Sequence, residues 1–320
     1  MMMDVALREL TVRDLLPAQA LLTTALPYDR SDVVTAEKLL ASNFRRDRFS
    51  VGAFSPDGEL LGVMALAGRW IKLLAVKPAV QRRGIGSVLL RAAKEHLAQT
   101  TGTATGAATK LRVGDHPGNY LSPGLDERNL TGQAFFRARG FGEATRLLNL
   151  RAPVRDNPLI TEERLATLHA AATEAGYTLR RATASDVEPL LQTVSSSFAP
   201  VWSFEVARAL GPSLVKGEAT DWAEELPEGP AVHVALDGDG AVVAFAAHDG
   251  NNRGLGWFGP MGTLDQHRGH GLGEALLLGC LLDVRDRPEG GVIAWVGPVG
   301  FYSRACGAVA DRRFVVFEEL

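Results

Sequence analysis

Two short glycine-bearing segments carry residue types suited to binding an anion. Gln81-x-x-Gly84-x-Gly86 follows the apolar run Leu73-Leu74-Ala75-Val76 and leads into Ser87-Val88-Leu89-Leu90. Arg268-x-x-Gly271-x-Gly273 follows Met261-Gly262-Thr263-Leu264 and leads into Glu274-Ala275-Leu276-Leu277. Each reads as a strand, a loop and the start of a helix. The first N–H groups of a helix have no internal partner, and the helix dipole adds positive potential there. Glycine lets the backbone adopt unusual dihedrals and lets a ligand come close. Phosphate or diphosphate is the anion best matched to such a place. Arg82, Arg83 and Arg268 add positive charge. Two nucleotide motifs fail the test of spacing. Neither segment has the Gly-Lys-Ser/Thr ending of a phosphate-binding P-loop. Gly84-Ile85-Gly86 lacks the third glycine of a dinucleotide fingerprint, and Gly269-x-Gly271-x-Gly273 spaces its glycines wrongly for one.

A second set of polar residues lies between Gly114 and Asp126, a stretch dense in turn formers that includes Asp115, Tyr120 and Asp126. A loop at the end of a sheet is where an acceptor molecule would lie, and an ordered surface loop is the alternative. His233 sits on an alternating strand, and His248-Asp249 ends another near a possible acceptor entry. His267 and His270 belong to the second glycine loop. No set of His, Asp and Glu has the spacing of metal ligands, so no metal is expected. No Gly-x-Ser-x-Gly nucleophile turn occurs. Asp221, Glu224, Glu225 and Glu228 would attract a cationic amine or form a solvated face.

The elements that position these residues occur twice. Leu7-Arg8 with Thr11, Asp14 and Pro17 recurs as Leu179-Arg180 with Thr183, Asp186 and Pro189. Each copy predicts a short strand followed by a helix, with Asp14 and Asp186 as N-caps. Two hairpins follow at matching places, with turns Ser55-Pro56-Asp57-Gly58 and Asp237-Gly238-Asp239-Gly240. The first strands are offset by 172 positions and the glycine loops by 187, so the second copy has gained residues, assigned to 210–229. The predicted division is a first domain over 4–152, a linker with a helix over 153–176, and a second domain over 177–320.

Composition sets the outer bounds. Hydrophobic residues at 46% of 320 are enough to offset chain entropy, which excludes disorder as the main state. A net charge of −3 gives no global field for nucleic acid or anionic lipid. The longest nearly apolar run, Ala275 to Leu282, is too short to span a membrane. Two cysteines, Cys280 and Cys306, cannot build a disulfide framework. The start Met1-Met2-Met3-Asp4 has no signal-peptide pattern, so a cytoplasmic location is the default expectation.

The Gln/Arg-x-x-Gly-x-Gly loop between a strand and a helix resembles the acyl-CoA loop of the GNAT superfamily of N-acyltransferases. In both copies a further motif similar to that family's closing helix and strand comes later. These are Phe135-Phe136-Arg137-Ala138-Arg139-Gly140-Phe141, and Phe301-Tyr302 with Gly307 one position further on. The resemblance covers nearly the whole chain as a tandem, a layout similar to that of the mycothiol synthases. It implies an α/β (α+β) fold: two GNAT-like domains, each a mixed, mostly antiparallel, splayed sheet flanked by helices.

The resemblance also implies roles. Acetyl-CoA is the cosubstrate, with its pyrophosphate on the N–H groups of Arg82, Arg83, Gly84, Ile85, Gly86 and Ser87, or of Gly269, His270, Gly271, Leu272, Gly273 and Glu274. Gln81 and Arg268 open the two loops. The thioester carbonyl maps to Ala75–Val76 and Gly262–Thr263. Tyr302 holds roughly the place of the family's proton donor, or is a packed aromatic; the first copy has Phe136 there, which cannot donate a proton. Tyr120 heads a Tyr-x-x-Pro-Gly-x-Asp element like one found in part of the superfamily, with Asp115 and Asp126 as candidate acceptor-binding groups. The implied acceptor is a primary amine on a small molecule. A non-catalytic CoA-binding or scaffold role for one or both copies stands as the alternative. Gly271 lies 31 positions before Tyr302, whereas Gly84 lies 52 before Phe136, so the second copy has less room for an acceptor loop.

Overall fold

The computed structural model describes residues 3–41, 44, 47–101, 110–116, 118–216 and 229–320. Asp221, Glu224, Glu225 and Glu228 lie outside these residues, as does part of the stretch assigned to the second copy's extra length.

The first copy runs β1 (Ala6–Glu9), α1 (Leu15–Ala25), α2 (Ser31–Leu40), β2 (Phe49–Phe54), β3 (Leu60–Ala67), β4 (Trp70–Val76), α3 (Ile85–Thr101), β5 (Arg112–Val113), β6 (Leu125–Asp126), α4 (Leu130–Arg137) and β7 (Phe141–Arg151). Then come α5 (Glu162–Glu174), β8 (Thr178–Arg181), α6 (Val187–Ser197), α7 (Pro200–Leu210), β9 (Val232–Leu236), β10 (Val242–His248), β11 (Phe258–Thr263), α8 (Leu272–Asp283), β12 (Val292–Ile293), α9 (Val299–Cys306) and β13 (Val309–Glu319). Among the described residues no helix is long and apolar enough to cross a membrane.

The chain forms two compact units, Met1–Leu147 with Arg313–Leu320, and Leu148–Arg312. This differs from the division expected at 152 and 177. The helix expected in a linker, α5, belongs to the second unit, and the chain's last residues belong to the first. In the first unit β1, β2, β3 and β4 pair antiparallel, and β5 lies parallel to β4. The far side of β5 is then taken by the end of β13, with Phe317 opposite Val113. In the second unit β8, β9, β10 and β11 repeat the antiparallel order, and β12 lies parallel to β11. Its far side is taken by the end of β7, with Leu150 opposite Ile293. Each sheet is mixed and mostly antiparallel, as the resemblance to the GNAT superfamily implies.

The repeated opening is built by three side chains. Thr11 caps a short turn, and Asp14 folds back to accept from its N–H and hydroxyl, both at 2.9 Å. Arg8 closes the set with two bonds to Asp14 at 2.7 and 2.9 Å. Arg180, Thr183 and Asp186 repeat this arrangement. Neither Asp14 nor Asp186 makes a side-chain cap to the helix that follows, so the expected N-caps are turn locks instead. Led by the arginine hydrogen bond, these contacts outweigh burial and lower both carboxyls to about 2.

The two helices that follow the glycine loops are covered differently. The helix α3 buries Leu89, Ala93 and Leu97 and leaves Arg91, Lys94 and Glu95 exposed, an ordinary amphipathic pattern. Leu276, Leu277, Cys280 and Leu281 of α8 are all buried, on more than one face, because α5 packs on it from outside its sheet.

Candidate active site

The gap in each sheet comes from a bulge. Ala65 pairs with Leu73 but Leu66 with Ile71, so β4 carries one extra residue there. Ala246 pairs with Met261 but His248 with Phe258, so β11 carries one at Gly259–Pro260. A bulge bends its strand and resets which backbone groups face the neighbour. Pairing of β4 with β5 runs only over Trp70–Ile71, and that of β11 with β12 only at Phe258. Beyond those points the parallel strands diverge.

Alternation of the ladder then aims specific groups into the opening. Lys77 donates to the Leu61 carbonyl and Leu264 to the Val243 carbonyl, each at 2.9 Å. Two residues earlier on the same edge, Ala75 and Gly262 therefore face β3 and β10. Val76 and Thr263, one residue on, turn their N–H groups the other way, toward the gap. Of the expected pairs Ala75–Val76 and Gly262–Thr263, only the second member of each faces the opening.

The loops that follow share one backbone. Left-handed φ angles occur at Arg82 (64°) and Gly84 (89°), and at the matching Gly269 (88°) and Gly271 (73°). The opening residue of each motif ties the loop to its strand. Gln81 Nε2 donates to the Val76 carbonyl at 3.0 Å, and Arg268 Nε donates to the Thr263 carbonyl at 3.3 Å. Among the described residues no acceptor takes the N–H groups of Arg82, Arg83, Gly84, Ile85 and Gly86, nor those of Gly269 to Glu274. A run of outward N–H groups at a helix start fits a diphosphate. The last glycine serves packing: a Cβ on Gly86 would lie 2.9 Å from the Phe135 ring, and one on Gly273 3.3 Å from Met261 Cε.

The side chains around the two loops differ in charge. Arg82 and Arg83 are exposed, and neither forms an ion pair with a described residue. Arg139 lies 3.8 Å over the Phe135 ring and donates to Ser87 Oγ at 2.6 Å and the Phe135 carbonyl at 3.0 Å. It too has no carboxylate partner among the described residues, and burial lowers its pKa below that of a free guanidinium. In the second unit Arg268 pairs with Asp265 at 2.8 Å. Glu274, at the position of Ser87, pairs with Arg164 of α5, which also donates to the Ala305 carbonyl at 2.8 Å. Tyr177 Oη bonds His267 Nδ1 at 3.1 Å, and its ring lies 5.3 Å from that of His270.

The candidate proton donors stand in different surroundings. Tyr302, on α9, is 7% exposed and packs edge-on against Phe301 and Phe258. Its hydroxyl bonds no described residue, and burial raises its pKa above the usual phenol value. Phe136, its counterpart, sits in an aromatic cluster with Phe135, Phe141 and Phe317. Tyr120 is buried in the loop between β5 and β6. Asp115 is held by Arg112 Nη2 at 2.6 Å and Nε at 2.7 Å, and Asp126 by Arg128 Nη2 at 2.7 Å and Nε at 2.8 Å. Both expected acceptor-binding carboxylates thus already hold bidentate arginine partners.

His233 and His248 join a network that sequence reading did not assemble. His233 Nε2 lies 2.7 Å from Asp283 Oδ2, and Arg181 Nη2 lies 2.6 Å from Asp283 Oδ1. His248 Nδ1 meets Asp249 at 2.9 Å, and its Nε2 is 3.4 Å from Asp283. Burial pushes the Asp283 carboxyl up, but His233, His248 and Arg181 together hold it well below the carboxylate range. Burial lowers His248, but Asp249 and Asp283 outweigh it and leave it raised. These groups come from β8, β9, β10 and the end of α8, with no shared sequence signal. Among the described residues no group of three or more His, Cys, Asp or Glu is arranged to hold a metal.

Comparison with known proteins bears on this geometry. The sequence model of the acetyltransferase (GNAT) family matches residues 18–113. No curated protein matches the chain. A GCN5-related glucosamine N-acetyltransferase region of a fungal multi-domain GH3 β-N-acetylglucosaminidase superposes with a TM-score of 0.71 at 18% identity. The match covers 99% of this chain but only 38% of that one. A GCN5-related N-acetyltransferase from Sphaerobacter thermophilus superposes at 0.63 with 17% identity, covering 99% and 96%. A tandem GNAT protein from the clavulanic acid biosynthesis pathway superposes at 0.59 with 19% identity, covering 98% of both. Residues 18–113 thus match the acetyltransferase (GNAT) family model, and the chain as a whole has the fold of a tandem GNAT protein, two GNAT-like domains.

Proposed function

We propose that the chain is an acyl-CoA-dependent N-acyltransferase that moves acetyl from acetyl-CoA to a primary amine of a small molecule by direct attack. The observation that carries this reading is the pairing, in each unit, of outward loop N–H groups with one strand N–H aimed into a sheet gap. The first binds phosphates; the second meets a thioester carbonyl.

Acetyl-CoA supplies the activated acyl group. The loop N–H groups hold its diphosphate, and the helix dipole of α3 or α8 favours that charge. The Val76 or Thr263 N–H donates to the carbonyl oxygen and stabilises the charge that grows there as the amine attacks. Holding both reactants in place supplies much of the remaining rate. The leaving thiolate takes a proton from Tyr302 in the second unit or from Tyr120 in the first, and the proton that the attacking amine loses restores the phenol, so that amide and free thiol are the products. A phenol is protonated at neutral pH, as a donor requires, and burial shifts Tyr302 further in that direction. A thiolate is a good leaving group without help, because a free thiol has a pKa of about 8.5. Phe136 therefore does not disqualify the first unit.

The test is to mix the full chain, acetyl-CoA and a panel of small primary amines and to follow thiol release. Thiol release matched one-for-one by an N-acetylated amine is the expected result. Release no faster than without protein for every amine, or equal release by folded Gly84→Glu/Gly271→Glu, overturns the reading.

A further inference from the structure

We infer that only the first unit takes up acyl-CoA, because the second unit has filled its own phosphate loop with internal ion pairs. The inference rests on the acyl-CoA reading above and decides which of two loops that reading applies to.

The two loops have matching backbones, so the difference lies in charge and in the side chains around them. CoA is a polyanion, and an anion site gains most from cations that have no other partner. Around the first loop stand Arg82, Arg83 and Arg139, none paired with a described carboxylate. Arg139 is held at the start of α3 by neutral groups only: the Ser87 hydroxyl, the Phe135 carbonyl and the Phe135 ring. A partly desolvated guanidinium with neutral neighbours leaves its charge available to a phosphate.

Around the second loop two arginines each have a carboxylate. Arg268 is taken by Asp265, and Arg164 by Glu274. Glu274 stands in the first turn of α8, where a carboxylate already satisfies the helix dipole. Its counterpart Ser87 is uncharged, so an anion arriving at α3 meets no such competitor. The second loop is also covered by side chains. The helix α5 brings Leu168 to 3.9 Å from where a Cβ on Gly271 would stand, and Tyr177 packs on His267 and His270. A phosphate entering there would have to displace Glu274 from Arg164 and meet a carboxylate at the helix start.

The test is calorimetric titration of CoA into the full chain, in wild type and three variants, each checked for folding by its melting curve. One site per chain is expected in wild type. Gly84→Glu should abolish it. Arg139→Met, which keeps length but not charge, should weaken it about tenfold, with a shallower dependence on salt. Glu274→Ser should add a second, weaker site. Two sites in wild type, a site unchanged in Gly84→Glu or Arg139→Met, or one site still in Glu274→Ser would each overturn the inference. No binding to wild type would instead overturn the acyl-CoA reading itself.

Discussion

The two units repeat one backbone with opposite electrostatic outcomes. Both bulge the same strand, both place left-handed residues at the same two loop positions, and both tie the loop to a strand carbonyl through its opening side chain. What differs is where the arginines end. In the first unit Arg82, Arg83 and Arg139 have no carboxylate partner among the described residues; in the second, Glu274 and Asp265 stand beside Arg164 and Arg268. A duplicated fold thus keeps its geometry, set by packing and hydrogen bonds, while a few surface charges decide which copy can hold a polyanion.

The largest effect should come from the glycine that the first loop needs. Gly84 has a φ of 89°, which a side chain tolerates poorly, and a carboxylate there would face the diphosphate. Thiol release by Gly84→Glu should fall more than a hundredfold while the second unit's melting transition stays put. Next, Phe317 is fully buried in the first unit although it lies near the chain's end. Phe317→Ala should destabilise the first unit by about 3–5 kcal/mol. Denaturant unfolding followed by hydrogen exchange of β3 against β10 would check it: loss of protection in β10 alone would contradict the strand exchange.

Smaller effects test where the units agree. Asp14 and Asp186 are each held near pKa 2 in the folded protein. A depressed carboxylate pKa stabilises the fold above the unfolded value of about 3.9, and this is lost as pH falls toward 2. Asp14→Asn and Asp186→Asn should each cost about 1–2 kcal/mol at pH 7 and little at pH 2. Unequal losses would show that the repeated motif is not equivalent in energy. His248 gives a further difference, with no counterpart described in the first unit. Its raised pKa means its stabilisation is complete below about pH 6.5 and is lost as pH rises through the folded value. His248→Asn should flatten the second unit's stability between neutral and alkaline pH, and an unchanged profile would contradict that.

How much of this was legible depends on whether a feature is local. The repeat, both hairpins and both loops are encoded within a few residues each. Gly58 and Gly240 adopt the left-handed turn their sequences require. The Arg-Thr-Asp spacing was visible as a repeat, but its turn-lock geometry was not, because a cap and a turn lock use the same residues. The bulges carry little signal: Gly259-Pro260 hints at one in β11, and nothing in Ile71-Lys72-Leu73 marks the other. Strand exchange was illegible for a different reason. Val315-Val316-Phe317 reads as a buried strand, but the pattern does not say which sheet buries it. The contacts Arg164–Glu274 and His233–Asp283 join residues 110 and 50 positions apart, beyond any local pattern.

The most direct measurement is a crystal structure of the full chain grown with acetyl-CoA. One CoA is expected, its diphosphate on the N–H groups of Arg82 to Gly86, its thioester oxygen at Val76, and Glu274 still paired with Arg164. A CoA diphosphate on Gly269 to Glu274 with the first loop empty would contradict it.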